Sequence, residues 1–279
     1  MTQPAEAALS IASGDGRHAK DFDWMAKNVP CRAACPAGTD IPGYLEAIWK
    51  GDPETAYRIN LRDNIFPAVL GRTCTRPCEP ACRHGWEGLG EPVAICFAKR
   101  SADDFRSRQD PILLEKLFPD SGKSVAVVGA GAAGLTVARE LALWGHAVTL
   151  FEQHSEPGGL MIQGIPEFRL PRDMVRREIR QILDLGIDLQ CNTAVDAAHL
   201  TRMGSEYDAV VLAAGTHVPR WPDLPGRDLH HVRHGLEFLK EVNAGGRPEV
   251  GKQVVVIGGG FTAVDCCRMA KRLGAEQVT

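Results

Sequence analysis

Six of the nine cysteines fall between Cys31 and Cys96, and two glycine-rich turns stand at Gly129 and Gly258. These are the residues whose types and spacing could do chemistry. Thiolates hold soft or redox-active metals, and glycine turns let a backbone lie against phosphates. The run C-R-A-A-C supplies Cys31 and Cys35, C-T-R-P-C-E-P-A-C supplies Cys74, Cys78 and Cys82, and Cys96 follows alone. The middle three would share one face of an ideal helix. Pro77 and Pro80 argue against a regular helix, so a loop wrapped around something is the better expectation. Thiolates that converge from separate loops of a small helical domain suit an iron–sulfur cluster. Structural zinc competes, although its usual C-x-x-C knuckles are missing, and buried free thiols are the third reading.

The first glycine turn sits in S-V-A-V-V-G-A-G-A-A-G-L. An apolar strand, Val125 to Val128, feeds directly into Gly129, Gly131, Ala132, Ala133 and Gly134. A helix is expected to about Trp144, then a second buried strand, Ala147 to Phe151, ending on Glu152 and Gln153. The three glycines serve a tight turn, close approach of backbone to a pyrophosphate, and close packing of helix on strand. The helix N-terminus offers unpaired N–H groups and a positive dipole end. Glu152 stands where a carboxylate can take both hydroxyls of an adenosine ribose. Strand, helix, strand and acid together read as dinucleotide binding.

A second fingerprint, V-V-V-I-G-G-G-F-T-A-V-D, carries Gly258, Gly259, Gly260, Thr262, Ala263 and Asp265. Two such motifs imply two nucleotides that exchange electrons, a diffusible nicotinamide and a resident flavin. The sequence stops inside what should be the second strand of this unit, so the front part of a longer enzyme is expected.

The elements that must position these groups follow from periodicity and caps. Ile41, Leu45 and Ile48 fit one helix face behind Thr39 or Asp40, and Asp52-Pro53 reads as cap and first turn of another helix. Cys31 and Cys35 then lie in a loop ahead of a helical pair, and Cys96 starts a third helix. Residues 1–20 read as a flexible lead-in, and the polar stretch from Arg100 to Gly122 as a linker. After Glu152, the paired glycines 158 and 159 and the turn Gly164-Ile165-Pro166 read as a cofactor-lining loop. Met174 to Leu185 is a helix, with Arg172, Arg176, Arg177 and Arg180 as a solvated face. Tyr207 begins a buried strand that runs into Gly215-Thr216 and closes over the same ligand. His230, His231 and His234 read as exposed histidines without an acid or thiol to complete a metal site.

Composition excludes other classes. A formal net charge of -3 with 24% charged residues gives no argument for nucleic acid or an anionic membrane. No apolar run is long enough for a membrane helix, and the first residues lack a signal-peptide core, so a cytoplasmic protein is expected. Clustered cysteines in such a chain point to metal or redox chemistry rather than disulfides.

At this point the motifs resemble a known family. C-R-A-A-C-P, C-T-R-P-C-E-P-A-C-R, V-A-V-V-G-A-G-A-A-G-L, G-L-M-I-Q-G-I-P-E-F-R-L-P, V-L-A-A-G-T and V-I-G-G-G-F-T-A-V-D occur in the order found in the glutamate synthase small (beta) subunit. The same module opens dihydropyrimidine dehydrogenase. The resemblance implies FAD on the first fingerprint and NAD(P)H on the second. Gly129, Gly131 and Gly134 would hold the FAD pyrophosphate and Glu152 its ribose. Gly159, Leu160 and Gly164-Ile165-Pro166 would approach the flavin, Val195 the adenine, and Ala214, Gly215 and Thr216 would close over the cofactor. Gly258, Gly260, Thr262 and Ala263 would face the nicotinamide nucleotide.

The sequence departs from the family pattern in three places. A further upstream C-x-x-C pair would fall on Asp23 and Ala26, neither a thiol. The second cysteine group is tighter than in many members, and Phe261 stands where asparagine is common. The resemblance thus implies one complete [4Fe–4S] ligand set, Cys35, Cys74, Cys78 and Cys96, with Cys31 and Cys82 left for an incomplete or partner-completed cluster.

The expected fold is α/β with an N-terminal all-α iron–sulfur domain (1–118), a Rossmann-like FAD-binding domain (119–247) and the start of a Rossmann-like NAD(P)-binding domain (248–279). The expected function is electron input from NAD(P)H through FAD and [4Fe–4S] to a larger catalytic subunit or acceptor protein. A disulfide reductase is disfavoured because Cys266 and Cys267 are adjacent on a helix and cannot form a C-x-x-C pair. A related NAD(P)H:acceptor oxidoreductase serving sulfur, pyrimidine or ferredoxin metabolism is the alternative enzyme, and a zinc-stapled, non-catalytic flavin-fold subunit the non-enzyme alternative.

Overall fold

The structure is a computed structural model that describes residues 22–86, 88–107 and 110–279. The expected lead-in, residues 1–20, lies outside the described residues. The chain divides into two compact units, one of residues 22–67 and 74–105 and the other of residues 68–73 and 106–279.

The first unit is helical. Helix α1 (Phe22–Asn28) and the single turn α2 (Pro30–Ala33) precede α3 (Ile41–Trp49) and α4 (Pro53–Asp63). Asp40 caps α3 by accepting from Gly43 N at 3.2 Å, and Asp52 caps α4 by accepting from Thr55 N at 2.9 Å. Each cap satisfies an orphan N–H at a position where proline needs none. Helix α5 (Pro67–Thr73) follows, and its residues Ala68–Thr73 group with the second unit. A proline-rich loop then leads to α6 (Ile95–Asp104). Tyr44, Ala47, Tyr57, Leu61 and Ile95 are buried where α3, α4 and α6 meet, and Tyr44 Oη donates to Ile95 O at 3.3 Å. Helix α6 carries Arg100–Asp104, so the expected linker is helical at its start.

The second unit is built on a parallel sheet. Strand β1 (Ser124–Val128) leads through helix α7 (Ala132–Leu143) to β2 (Ala147–Phe151). A short helix α8 (Leu160–Gln163) and a long one, α9 (Arg172–Leu183), precede β3 (Asp188–Gln190). Helix α10 (Ala197–Glu206) brings the chain to β4 (Ala209–Leu212). The strand order is β3-β2-β1-β4, with Val127 opposite both Leu150 and Val211. Fully buried Ala126, Val127 and Leu150 show why these strands read as continuous apolar runs, since helices cover a parallel sheet. Helix α11 (Gly235–Asn243) follows, then β5 (Gln253–Val254), α12 (Phe261–Arg272) and β6 (Gln277–Val278), which pairs with β5 in parallel. This is the expected mixed architecture, a helical unit and a parallel Rossmann-like sheet. No helix among the described residues is long and apolar enough to cross a membrane.

Buried Glu178 on α9 accepts from Ala68 N at 2.8 Å and Val69 N at 3.1 Å. A carboxylate thereby takes the N-terminal N–H groups of α5, a favourable charge–dipole arrangement. Its partners lie far away in sequence, so no local pattern announces it.

Candidate functional site

The first glycine turn opens a crevice at the carboxyl ends of β1, β2 and β4, where ligands bind in open α/β sheets. The cavity is about 320 Å³. Its floor is Gly129, Gly131, Ala132 and Ala133; Glu152 and Gln153 lie at one side, Gly159 and Leu160 at another. Val195 and the run Ala214, Gly215 and Thr216 complete the residues expected from sequence.

Each glycine of the turn has a measurable reason. Gly129 has φ +103, and a Cβ there would stand 2.4 Å from Ala213 O. Gly134 does not line the crevice; a Cβ on it would stand 1.8 Å from Gly129 O, so it closes helix onto turn. Gly131 faces Gly159 across the opening, and nothing but Gly159 Cα, at 3.9 Å, would meet its Cβ. Gly131 is also the N-cap of α7 and gives no side-chain hydrogen bond. The helix N-terminus therefore keeps its N–H groups for a ligand, as a pyrophosphate requires.

Glu152 is buried and its carboxylate is partly used by the protein. Oε2 accepts from Ala130 N at 2.9 Å and Oε1 from His154 N at 3.0 Å. A carboxylate can accept about four hydrogen bonds, so capacity for ribose hydroxyls is left. These backbone bonds also fix the turn that precedes α7. The residues present fit a dinucleotide.

Sequence reasoning missed His217, which lines the crevice next to Thr216. Its Nδ1 is buried without a partner. Burial, then the charges of Lys240 and His154, push its pKa below the ordinary histidine range, against a smaller opposite pull from Glu152. No motif flagged it, because its role comes from where the strand end leads. Arg172 is a correction. It is buried, not on a solvated face: Nη1 donates to Met161 O at 2.8 Å, and Nη2 is buried without a partner. Burial lowers its pKa, with Glu167 and Glu156 opposing. An arginine in a run of charges looks solvated until α8 folds over it. The turn Gly164-Ile165-Pro166 lies outside the cavity lining, and Gly164 ends α8.

The second glycine turn is arranged alike. Gly258 has φ +137, and Gly260 caps α12 without a side-chain bond. A Cβ on Gly259 or Gly260 would meet nothing within 4 Å, which leaves open space over the helix N-terminus. Thr262 and Ala263 form the first turn of α12. Asp265 is buried and pairs with Arg169 at 2.6 Å. The strand ahead of this turn is shorter than expected. Regular pairing covers only Gln253–Val254, and Val255 and Ile257 are each 75% exposed.

In the helical unit, Cys31 lies in α2 rather than in a loop, because Pro30 starts a helical turn there. Cys35, Cys74, Cys78 and Cys82 lie outside helices, and Cys96 is the second residue of α6. All six are free thiols; Cys78, Cys82 and Cys96 are buried. Burial and the neighbouring Cys74 and Cys35 hold Cys78 at about 11, against the pull of Lys99. Cys96 is raised by burial and by Cys74. Cys31 is raised by burial and by Cys82 and Cys35, while backbone N–H groups oppose. Burial raises Cys35, but the Thr39 hydroxyl, backbone N–H groups and Lys99 bring it below the usual thiol value. The thiols thus influence one another across the unit: Cys74 and Cys35 act on Cys78, Cys74 on Cys96, and Cys82 and Cys35 on Cys31. Among the described residues no three His, Cys, Asp or Glu side chains gather around the position of a single ion. A four-iron cube spreads its thiolates over its corners, and this donor set fits it.

Residues 123–279 match the family described as pyridine nucleotide-disulphide oxidoreductase. The chain belongs to that family. Residues 24–110 match dihydropyrimidine dehydrogenase domain II, 4Fe-4S cluster. As a pyridine nucleotide-disulphide oxidoreductase with this second domain, the chain agrees with the cofactors expected from sequence: FAD, [4Fe–4S] and NAD(P)H. Its curated relatives are named as subunits of nicotinamide-dependent oxidoreductases. It is 39% identical over 257 residues to the NADPH-Fe(3+) oxidoreductase subunit beta of Geobacter sulfurreducens, covering 90% of this chain and 38% of that protein. It is 35% identical over 263 residues to the glutamate synthase [NADPH] small chain of Mycobacterium tuberculosis, covering 89% of this chain and 53% of that one. It is 32% identical over 260 residues to a homolog, in Salmonella typhi, of the NAD-dependent dihydropyrimidine dehydrogenase subunit PreT, covering 91% and 62%. The chain thus spans between 38% and 62% of the length of these relatives.

Proposed function

We propose that this chain takes electrons from NAD(P)H and passes them, one at a time, to an acceptor subunit or domain. The observation that carries the reading is the crevice at β1, where an uncapped α7 N-terminus faces Gly159 across open backbone. Gly129 and Gly131 and the first N–H groups of α7 bind the pyrophosphate, and Gly134 holds the helix to the turn. Glu152 accepts ribose hydroxyls, Leu160 and Val195 supply apolar walls, and Ala214 to Thr216 close the far edge. Gly258, Gly260, Thr262 and Ala263 at α12 receive the nicotinamide nucleotide. Asp265 braces that helix from within through Arg169.

Bound FAD supplies the change from a two-electron hydride donor to one-electron acceptors. Cys35, Cys74, Cys78 and Cys96 hold the cluster that receives single electrons, and Cys31 and Cys82 contribute to any second one. Division into an iron–sulfur domain to about residue 118, a flavin domain to 247 and a nicotinamide unit beyond it belongs to the same reading. So do a cytoplasmic location and a larger acceptor partner. The glutamate synthase small chain and the NADPH-Fe(3+) oxidoreductase beta subunit are the relatives whose named activities suit it.

The test is anaerobic purification of the chain with counting of iron, acid-labile sulfide, zinc and FAD, followed by NAD(P)H-dependent dye reduction. About four irons and four sulfides per chain are expected for one cluster, with dye reduction that needs FAD. Zinc without sulfide, or FAD that NAD(P)H cannot reduce, overturns the reading.

A further inference from the structure

Helix α6 buries an ammonium group beside the thiols. Lys99 is only 6% exposed, and it stands one turn beyond Cys96 on the same helix face. Among the described residues no ion pair joins Lys99 to a carboxylate. A buried charge of this kind is costly unless an opposite charge compensates it. Its charge reaches the thiols Cys35, Cys78 and Cys96, and the Glu79 carboxylate, whose Oε1 accepts from Cys96 N at 2.9 Å, acts on Cys96 as well. The other cation near Cys96 is Arg76, which is half-exposed and 3.7 Å from Glu79 Oε2. Its charge is screened and already paired.

We propose that Lys99 is the counter-charge of the cluster held by Cys35, Cys74, Cys78 and Cys96, and that it raises the reduction potential of that cluster. The proposal rests on the cluster reading given above. Four thiolates around a doubly positive iron–sulfide core leave a net double negative charge, and one-electron reduction adds one more. A buried cation therefore stabilises both states, and the reduced state more. Net charge and local hydrogen bonding are among the levers that set such potentials. Lys99 is a positioning residue in this sense: its effect is on where the electron rests.

The experiment uses the full chain, reconstituted anaerobically with iron and sulfide, and titrates the cluster with dithionite while EPR follows the reduced form. Flavin plays no part in this readout. Lys99→Met and Lys99→Gln are expected to lower the midpoint by about tenfold in the reduction equilibrium, 59 mV for one electron. Lys99→Arg, which keeps the charge, is expected to titrate with the wild type. Neutral variants that titrate with Lys99→Arg overturn the proposal. If neither neutral variant takes up iron while Lys99→Arg does, the requirement for charge shows in loading itself, and the proposal stands. If Lys99→Arg also fails to load, position 99 supplies packing rather than charge, and the proposal falls. A wild-type chain that binds no iron–sulfur cluster would instead sink the cluster reading on which it rests.

Discussion

The two inner glycines of the first turn separate folding from binding. Gly131 has φ -79 and ψ -172, an ordinary extended conformation for any residue. The nearest atom to a Cβ there is 3.9 Å away, so Gly131→Ala fits the free protein without strain. Such a change stabilises by about 0.4–1 kcal/mol, because the unfolded chain loses freedom. For a unit of this size that is a rise of about 1–4 °C in Tm. The added methyl nevertheless fills the gap between α7 and Gly159 through which a pyrophosphate must approach. Loss of FAD affinity by at least tenfold, about 1.4 kcal/mol, is expected. Gly134→Ala should do the reverse. Its Cβ would overlap Gly129 O at 1.8 Å, backbone against backbone, with no flexible side chain to give way.

Overpacking of that kind costs about 3 kcal/mol or more, a fall of about 6–12 °C. The assay is a thermal melt of each apo-chain beside a titration with FAD followed by flavin fluorescence. A Gly131→Ala protein that melts normally and holds FAD like the wild type would refute the pyrophosphate placement. A Gly134→Ala protein with an unchanged melt would refute the argument that this glycine closes helix onto turn.

Two further outcomes follow from buried carboxylates. Glu178→Ala removes the acceptor for Ala68 N and Val69 N and leaves both N–H groups buried, at a cost of about 2–4 kcal/mol. Denaturant melts should show it, and a loss under 1 kcal/mol would mean that water replaces the carboxylate. Asp265 carries a pH signature: burial lifts its carboxyl above the usual range, while Arg169 and Arg268 oppose. A folded pKa above the unfolded one means that the folded state holds the proton longer. The contribution is therefore greatest below the unfolded value, about 3.9, and is lost as pH rises through the folded value. Asp265→Asn should flatten that part of the stability–pH curve relative to wild type. Parallel curves for the two proteins would contradict the shift.

Much of what shapes the sheet and the helical unit was legible because it is local. The strand Ala147–Phe151 and the caps Asp40 and Asp52 each depend on residues within one turn of chain, as does the position of Cys96 at a helix start. What was not legible depends on distant partners. Arg172 reads as one more surface arginine, yet Met161 O draws it inward. Glu178 sits in the expected helix Met174 to Leu185 with nothing local to single it out, yet it caps a segment more than a hundred residues earlier. His217 follows a glycine turn with no pattern of its own, and only the sheet brings it to Glu152. The run V-V-V-I before Gly258 reads as the strand that opens the second fingerprint. With β6 as its partner it pairs over two residues, and Val255 and Ile257 stay exposed. Apolar runs of this sort are central strands when both faces are covered, and sequence states the run but not the cover.

The second fingerprint shows how a departure from pattern can be absorbed. The Arg169 guanidinium lies over the Phe261 ring at 5.6 Å while pairing with Asp265 at 2.6 Å. One turn further along α12, Arg268 and Arg272 stack on Phe168 at 4.3 Å and 4.4 Å. Residues 168 and 169 thus engage four side chains of α12. Each cation–π contact is worth about 0.5–1 kcal/mol at an exposed site. Side chains that sequence places almost a hundred residues apart thus tie residues 168 and 169 to successive turns of α12.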